Sequence, residues 1–451
     1  SKPELFLRKP KNRPGRDNYF RYVNVDAGWV DRRIFWDEAI YERELEAIFA
    51  RCWQFVAHDS QLPNIGDFVT TYIGEDGVIV SRHTDGKAYV YLNACTHRGN
   101  KICFADEGNA RRFTCNYHGW AFSTAGELLG LPSENAYDPG DIDRTQWGPR
   151  RARVETYKGM IFATFDPDAP GLEEYLGDYR WYLDAFLDND EGGIEFLPGT
   201  IKSYANANWK FGVENFIGDA YHAWWTHDAG GRAMMGGPFP AYDPKDTYHA
   251  SVNGHGWEFA LEGFGDIAIL GSQEVTDYYA ALKPKIAARL GELRARLFGS
   301  LASAAMFPNM TFLPGIHTFR MWLPRGPRKL ELRIWTVVNK NAPESVKQAI
   351  NIGCNMTFNP AGTLEMDDGE NWEGNTRTNR GWVSRHEKLH YGCGKSRQIE
   401  HPELPGIVHE GQFNDANQRL FYQRWADLMN AKSWSDVPQR YAPRYAGRPT
   451  R

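Results

Sequence analysis

The apolar positions of this chain change their period as the sequence is read from its start. Before residue 37 they follow no period, so residues 1–36 are expected to be irregular and to lie over another part of the fold. In DEAIYERELEAIFARCW, Ile40, Tyr41, Ile48 and Phe49 recur at helical spacing behind Asp37. An aspartate there can accept from the free N–H groups of a first turn, so a helix is expected over 37–53. From about residue 55 to 165 the texture becomes short strands, in DFVTTYIG, GVIVSR, AYVYLNAC, RRFTC and MIFATF. Turns such as EDG, TDG and AGE separate several of them, which is the pattern of a small all-β module.

After PDPDAPGLEEYLG the pattern is mixed. Helices are expected over 172–186, 213–227, 276–298, 343–353 and 413–430. Strands are expected over 199–207, 305–313, 316–323 and 329–338, the last three side by side in an antiparallel sheet. The stretch 228–260, rich in Gly, Pro and aromatics, reads as a long loop: either a lid or an ordered surface loop. The expected fold class is α+β. An N-terminal segment (1–36) precedes an all-β domain with its leading helix (37–165) and a larger domain (166–451) whose antiparallel sheet is covered by helices.

Composition narrows the function classes. A chain of 451 residues is long enough for two or three domains. A net charge of -5 and a pI near 6.2 give no reason to expect a nucleic-acid partner. No run of 18 apolar residues suggests a membrane span, and the basic segment SKPELFLRKPKNRPGRDNYF lacks the apolar stretch of a secretory signal, so a cytoplasmic protein is expected. The 16 Trp, 22 Tyr and 25 Phe can fill a core, and they also suit a pocket for a flat apolar ligand. Six cysteines do not make a disulfide framework. Cys52, Cys103, Cys354 and Cys393 are expected to be reduced, buried packing residues.

Cys95 and Cys115 belong to a motif, CTHRGNKICFADEGNARRFTCNYHGW, in which Cys95-Thr96-His97 is followed by Cys115-Asn116-Tyr117-His118. Thiolates select soft or borderline metals, so zinc and iron–sulfur clusters are the candidates. A Cys₂His₂ zinc site usually has both cysteines together and both histidines together. Here each half offers one of each, on a short loop. That suits a Rieske [2Fe–2S] centre, where two Cys hold one iron and two His the other. Gly99 and Gly119 would allow the backbone close to such a cluster, and Trp120 would cover it.

A second constellation lies in NWKFGVENFIGDAYHAWWTH, which contains Asp219, His222 and His227. Positions 219 and 222 share a helical face; His227 needs a helix end or bulge to reach the same point. Two imidazoles and one carboxylate make the facial triad of non-haem Fe(II) oxygenases. The carboxylate is sought in FNPAGTLEMDDGENW, among Glu365, Asp367, Asp368 and Glu370, and spacing alone does not choose.

CTHRG with CNYHGW resembles the Rieske signature of the large (α) subunits of bacterial ring-hydroxylating dioxygenases. Glu214 to His227 and DDGENW are similar to that family's iron-binding segments, and the likeness runs over nearly the whole chain. The resemblance implies a helix-grip catalytic domain. It implies a [2Fe–2S] cluster on Cys95, His97, Cys115 and His118, and a mononuclear Fe(II) on His222, His227 and Asp368, with Asp367 as the alternative. It implies that Asp219 bridges His222 to His118 of a neighbouring subunit; a plain helix cap is the competing role. Asn215 is implied near the open face of the iron, with a backbone cap as its alternative role. Phe216, Ala220, Ala223, Phe307, Leu313, Phe358 and Leu364 correspond to pocket positions. Their apolarity suits an aromatic hydrocarbon, whereas a carboxylated ring would want a buried arginine, for which Arg232 is the candidate. The implied reaction adds both atoms of O₂ to an arene to give a cis-dihydrodiol, with electrons from NAD(P)H through a reductase and a ferredoxin. A basic collar of Arg98, Lys101, Arg111 and Arg112 would attract an acidic ferredoxin. A trimer, with a small β subunit in an α3β3 assembly, is implied. A Rieske monooxygenase or demethylase, an aromatic-acid dioxygenase, an electron carrier with a binding domain, and a zinc-stabilised binding protein remain the alternatives.

Overall fold

The computed structural model describes residues 18–237, 246–261, 272–300 and 302–445. After a short N-terminal sheet, helix α1 (Glu38–Glu44) continues through a wider turn to Phe49, and Asp37 caps it by accepting from the Ala39 and Ile40 N–H groups at 2.8 and 3.1 Å. Residues 18–36 are less irregular than the sequence suggests. Val23–Asn24 and Trp29–Asp31 pair with each other, and the latter also pairs with Lys388–His390 of the far end of the chain.

Three antiparallel sheets follow. One runs Ala88–Leu92, Asp76–Arg82, Asp67–Ile73, Glu107–Asn109. A second joins Leu128–Gly130, Ala121–Ser123 and Arg112–Thr114. The third joins Arg153–Tyr157, Met160–Thr164 and Gln54–His58. Phe68, Ile79 and Tyr91 of the first sheet and Phe113, Trp120 and Phe122 at the second form one core, and Cys95 and Cys115 are buried in it.

The rest of the chain is built on a ten-stranded antiparallel sheet. Helices α2 (Leu172–Leu176) and α3 (Tyr179–Leu187) replace the single helix expected over 172–186. Next come α4 (Trp209–Phe216), α5 (Ala220–Thr226) and α6 (Asp228–Met235), then α7 (Gln273–Leu290) and α8 (Glu292–Leu297). Helices α9 (Glu344–Thr357), α10 (Glu365–Asn379) and α11 (Ala416–Asn430) complete the layer. The large core includes residues of the sheet, α3, α4, α7, α9 and α11.

The helices expected over 213–227 and 276–298 are each split in two, at Gly218 and Gly291, and further expectations fail for identifiable reasons. The strand expected over 305–313 is a hairpin, Ala302–Met306 and Met310–Leu313, because Pro308 has no N–H to continue a ladder. The stretch 228–260 is not one long loop. It holds α6 and two sheet strands, Thr247–Val252 and His255–Ala260, joined at Asn253-Gly254 with φ of 52° and 82°. An Asn-Gly pair with positive φ at both positions is the tight turn that hairpins favour. Residues 238–245 of the expected lid lie outside the described residues.

Candidate metal centres

The two Cys-His loops have the same backbone. Gly99 N–H donates to Cys95 O and Gly119 N–H to Cys115 O, at 2.8 and 2.9 Å. In the return direction Cys95 N–H donates to Asn100 O and Cys115 N–H to Trp120 O, both at 2.8 Å. The turn closes only with positive φ at its fifth residue, and the two glycines supply 77° and 75°. Two like loops therefore face each other, each offering one thiol and one imidazole. The thiols are buried, while the His97 and His118 rings lie 4.4 Å apart nearer the surface. Trp120 stacks on His97 at 5.0 Å and 2°.

The donor set fits a Rieske cluster. Burial raises the Cys115 thiol, but the Tyr117 N–H, the Cys95 thiol, the Asn100 amide and the His118 N–H outweigh it and hold its pKa below the ordinary value, while burial holds the Cys95 thiol above its own. Such donors favour the thiolate that a cluster requires. His97 Nδ1 is buried with no hydrogen-bond partner, as a ring nitrogen reserved for a metal would be.

The second centre is set by a break between α4 and α5. Gly218 has φ of 144°, and a Cβ there would meet Asn417, Glu258 and His249 at 2.9–3.1 Å. The chain turns there, and α5 carries His222 on its first turn with His227 at its end. Asp368, on the first turn of α10 and 2% exposed, comes between them. His222 Nε2 is 3.1 Å from His227 Nε2 and from Asp368 Oδ1, and His227 Nε2 is 3.3 Å from Asp368 Oδ1. Neighbouring ligand atoms about 2.1 Å from an ion at right angles lie about 3 Å apart, so these spacings fit one face of an octahedral site. Among the described residues this is the cluster of His, Cys and carboxylate groups compact enough to hold one ion; Asp367 is not part of it.

Second contacts orient the triad. His222 Nδ1–H donates to Asp219 O, which leaves the Nε2 lone pair facing His227 and Asp368. Burial works against a charge on His222, but Asp219 and Asp368 outweigh it and hold its pKa at about 9. The site is therefore built for positive charge. Asn215, near the end of α4, places its amide nitrogen 3.3 Å from the His222 ring nitrogens, and its Oδ1 accepts from Trp372 Nε1 at 3.3 Å. Asp219 does not cap α5 by hydrogen bond; its Oδ2 lies 3.5 Å from His222 Nδ1, and 31% of its side chain is exposed.

Of the expected pocket residues, Phe216, Phe358 and Leu364 are buried around this centre. Phe358 is 6.3 Å from the His227 ring, Phe216 stands 6.3 Å from Trp372, and Leu364 packs beside Gly230 of α6. Ala220 and Ala223 lie on α5, and Leu313 is buried at the end of its strand. Phe307 packs elsewhere, 5.2 Å from Phe421 of α11 and against Gly254. Arg232 is exposed and bound to Asp228 on its own helix at 2.7 Å. Cys52, Cys103 and Cys354 are buried as expected, whereas Cys393 is partly exposed.

Sequence reasoning missed the buried arginine beside the pocket. Arg320, fully buried, lies 4.4 Å from the Phe216 ring centre and donates to Phe358 O at 3.1 Å. Its guanidinium is paired with Glu365, one turn before Asp368 on α10. The strand HTFRMWL carried no signal for it beyond one charge among apolar residues. Glu258 was also missed, since it is not near the histidines in sequence.

Both centres lie in stretches that are similar to known proteins. Residues 52–158 match the Rieske [2Fe-2S] domain and residues 172–431 the ring hydroxylating alpha subunit (catalytic domain). The biphenyl 2,3-dioxygenase subunit alpha of Rhodococcus jostii RHA1 is 39% identical over 448 residues, covering 96% of this chain and 95% of that one. The benzene 1,2-dioxygenase subunit alpha of Pseudomonas putida is 38% identical over 423 residues, covering 90% and 92%. A solved naphthalene 1,2-dioxygenase with indole in its active site superimposes with a TM-score of 0.88 at 31% identity, over 93% of this chain and 97% of that one. The chain belongs to the ring-hydroxylating α-subunit family: it is a Rieske-type dioxygenase α subunit whose resident cofactors are a [2Fe–2S] cluster and a mononuclear iron.

Proposed function

We propose that this subunit adds both atoms of O₂ to an aromatic hydrocarbon and releases a cis-dihydrodiol. Cys95, His97, Cys115 and His118 hold the cluster, and His222, His227 and Asp368 hold the lone iron. When bound, the cluster supplies one-electron transfer and the ferrous ion supplies O₂ activation. The chain's own side chains do the rest. Phe216, Ala220, Ala223, Leu313, Phe358 and Leu364 shape a pocket for a flat apolar ring, and Asn215 offers a hydrogen bond at the open side of the site. The observation that carries the reading is the His222–His227–Asp368 triad, with mutual spacings of 3.1–3.3 Å and the buried Phe358 ring 6.3 Å from that of His227.

The substrate is a neutral arene. A carboxylated ring calls for an uncompensated cation, and Arg320 is compensated by Glu365. The similar proteins act on biphenyl, benzene and naphthalene by their names.

The cluster and the iron work between subunits. Asp219 joins His222 of one chain to His118 of the next, so the functional unit is a trimer, with a small β subunit beneath it as α3β3. Support comes from exposed rings near both centres: Tyr221 and Trp225 on α5 are 55% and 83% exposed, and Tyr117 beside His118 is 61% exposed. The exposed Arg98, Lys101, Arg111 and Arg112 suit an acidic ferredoxin, itself reduced by an NAD(P)H-dependent reductase. The working place is the cytoplasm, where the described helices, none long and apolar enough to cross a membrane, raise no objection.

The test is a panel of one- to four-ring aromatics assayed for O₂ uptake with isotopically labelled O₂. Diols carrying both labelled atoms of one O₂ are expected. A monohydroxylated or demethylated product with a single labelled atom would overturn the dioxygenation.

A further inference from the structure

Arg320 lies on the strand Thr318–Pro324 and is fully buried. Every nitrogen of its guanidinium is engaged. Nη1 donates to Thr318 Oγ1 at 2.6 Å, Nη2 to Phe358 O at 3.1 Å and Nε to Glu365 Oε2 at 3.0 Å, and Nη2 donates to that carboxylate as well. Taking such a pair out of water is costly, and apolar side chains could fill the same space without that cost, so the pair is a poor device for packing alone. Its partners stand at the two ends of the α9–α10 connection. Phe358 is the residue at which α9 stops, and Glu365 opens α10. The connection, residues 359–364, is folded back on α9 by Thr363 N–H to Met356 O at 2.9 Å and Leu364 N–H to Thr357 O at 3.1 Å, whereas the Phe358 carbonyl is taken by Arg320. The guanidinium carbon also lies 4.4 Å from the Phe216 ring centre and 5.8 Å from that of Phe358, within reach of a cation–π attraction to both. One buried group therefore touches two pocket rings and the helical turn that carries Asp368.

We infer that Arg320 is a positioning residue for regiochemistry: by tying the Phe358 carbonyl to the first turn of α10 it fixes where the Phe358 ring stands relative to Asp368 and the two histidines, and so which edge of an arene lies against the iron. The inference rests on the reading of this site as an arene dioxygenase pocket, and it names the residue that holds the ring-orienting wall in register with the ligand set. A planar guanidinium suits the task, because its fork reaches a carboxylate and a carbonyl at once in fixed geometry. Reaction at a bound ring is sensitive to displacements of about 1 Å, so a wall released from its clamp changes which carbons are attacked.

The experiment uses the assembled oxygenase with both metal sites loaded. The probe is an arene with inequivalent ring edges: whichever of biphenyl, naphthalene and phenanthrene the wild type turns over fastest. Iron content, arene binding by anaerobic equilibrium dialysis and the ratio of the diol regioisomers are measured. Arg320→Met alone strands a buried carboxylate and risks the fold, so the informative variant is Arg320→Met with Glu365→Leu, which removes both charges together. It is expected to keep the wild-type iron content, to bind the arene within about threefold of wild type, and to change the regioisomer ratio at least about fivefold. A loss of stability alone lowers the yield of diol and leaves that ratio as it is. Phe358→Val is expected to change the ratio too. Because the clamp acts through the wall it holds, adding the paired substitution to Phe358→Val is expected to move the ratio by less than about twofold more. An unchanged ratio in the paired variant would overturn the role of Arg320 while the diols themselves keep the dioxygenase reading standing. Full additivity with Phe358→Val would place the action of the pair elsewhere and overturn it as well. Loss of iron or of arene binding in the paired variant would mark Arg320 and Glu365 as support for the fold and overturn the inference. A wild type that forms no diol from any arene of one to four rings would sink the reading of the pocket itself.

Discussion

The helix that leads to the iron site is anchored by one buried carboxylate, and its removal should be severe. Glu44, at the end of α1, is 0% exposed and accepts from Lys210 Nζ at 2.6 Å, Trp209 Nε1 at 2.9 Å and Trp425 Nε1 at 2.8 Å. Trp209 and Lys210 open α4, whose later residues include Asn215 and Phe216, and Trp425 belongs to α11. In Glu44→Leu the Lys210 ammonium either stays charged, at about 3–5 kcal/mol, or gives up its proton. At pH 7 deprotonation costs at most about 4.6 kcal/mol for an ordinary lysine. Two orphaned indole N–H groups add about 1–3 kcal/mol each. The total, about 5–11 kcal/mol, rivals the whole stability of a typical domain. Glu44→Leu with Lys210→Met removes the charge part and should recover about 3 kcal/mol or more. Urea unfolding of the four proteins of this cycle, followed by tryptophan fluorescence, measures the coupling. The sign of its pH dependence is fixed. Burial lowers the Lys210 pKa, so the folded state releases its proton before the unfolded chain does. The deficit of Glu44→Leu should therefore shrink as pH rises from 7 toward about 10. A loss below about 2 kcal/mol in Glu44→Leu, or a coupling near zero, would refute the reasoning.

Further outcomes follow from the two centres. Asp368→Ala should abolish the mononuclear iron and turnover while leaving the Rieske absorbance intact; iron analysis and visible spectra check both. Burial pushes the Glu214 carboxyl up to about 8 despite hydrogen bonds from Tyr422 and Tyr391. The folded state then keeps a proton that the unfolded chain loses near pH 4.5, so stability should fall as pH rises from about 4.5 to 8. Allowing for the partial exposure of the side chain, the fall is about 2–4 kcal/mol, and Glu214→Gln should flatten it in urea titrations across that range. Arg320→Met leaves Glu365 buried without its cation and should cost about 3–5 kcal/mol, whereas Arg320→Met with Glu365→Leu should regain most of it in the same assay.

Local chemistry was legible where it lay close together in sequence. The Cys-x-His and Cys-x-x-His loops contain their own glycines, so the fold of each is written within six residues, Cys95–Asn100 and Cys115–Trp120. His222 and His227 share one short helix, and the need for a helix end at His227 was visible from a spacing of five. Asp368 required three dimensions. Spacing leaves Glu365, Asp367, Asp368 and Glu370 open; the family resemblance favours Asp368, and the structure sets Asp368 against both histidines while Glu365, equally buried, is paired with Arg320. The same limit hid Arg320 and Glu258, each a lone charge in an apolar strand whose partner is on another element. The hairpin at Asn253-Gly254 was a different failure. Its turn signal was present, but the Gly and aromatic content of the surrounding segment suggested a loop, and tertiary pairing with Ala302–Met306 and Ile407–Glu410 makes it sheet.

The account depends on one chain holding a paired-iron cluster and a separate iron. Iron, zinc and acid-labile sulfide should be measured per chain on fully loaded protein, with electron paramagnetic resonance of the reduced cluster alongside. Three irons, two from the cluster and one from the triad, with two sulfides and a Rieske signal are predicted. Zinc in place of iron, or two irons and no more when the cluster signal is complete, would contradict it.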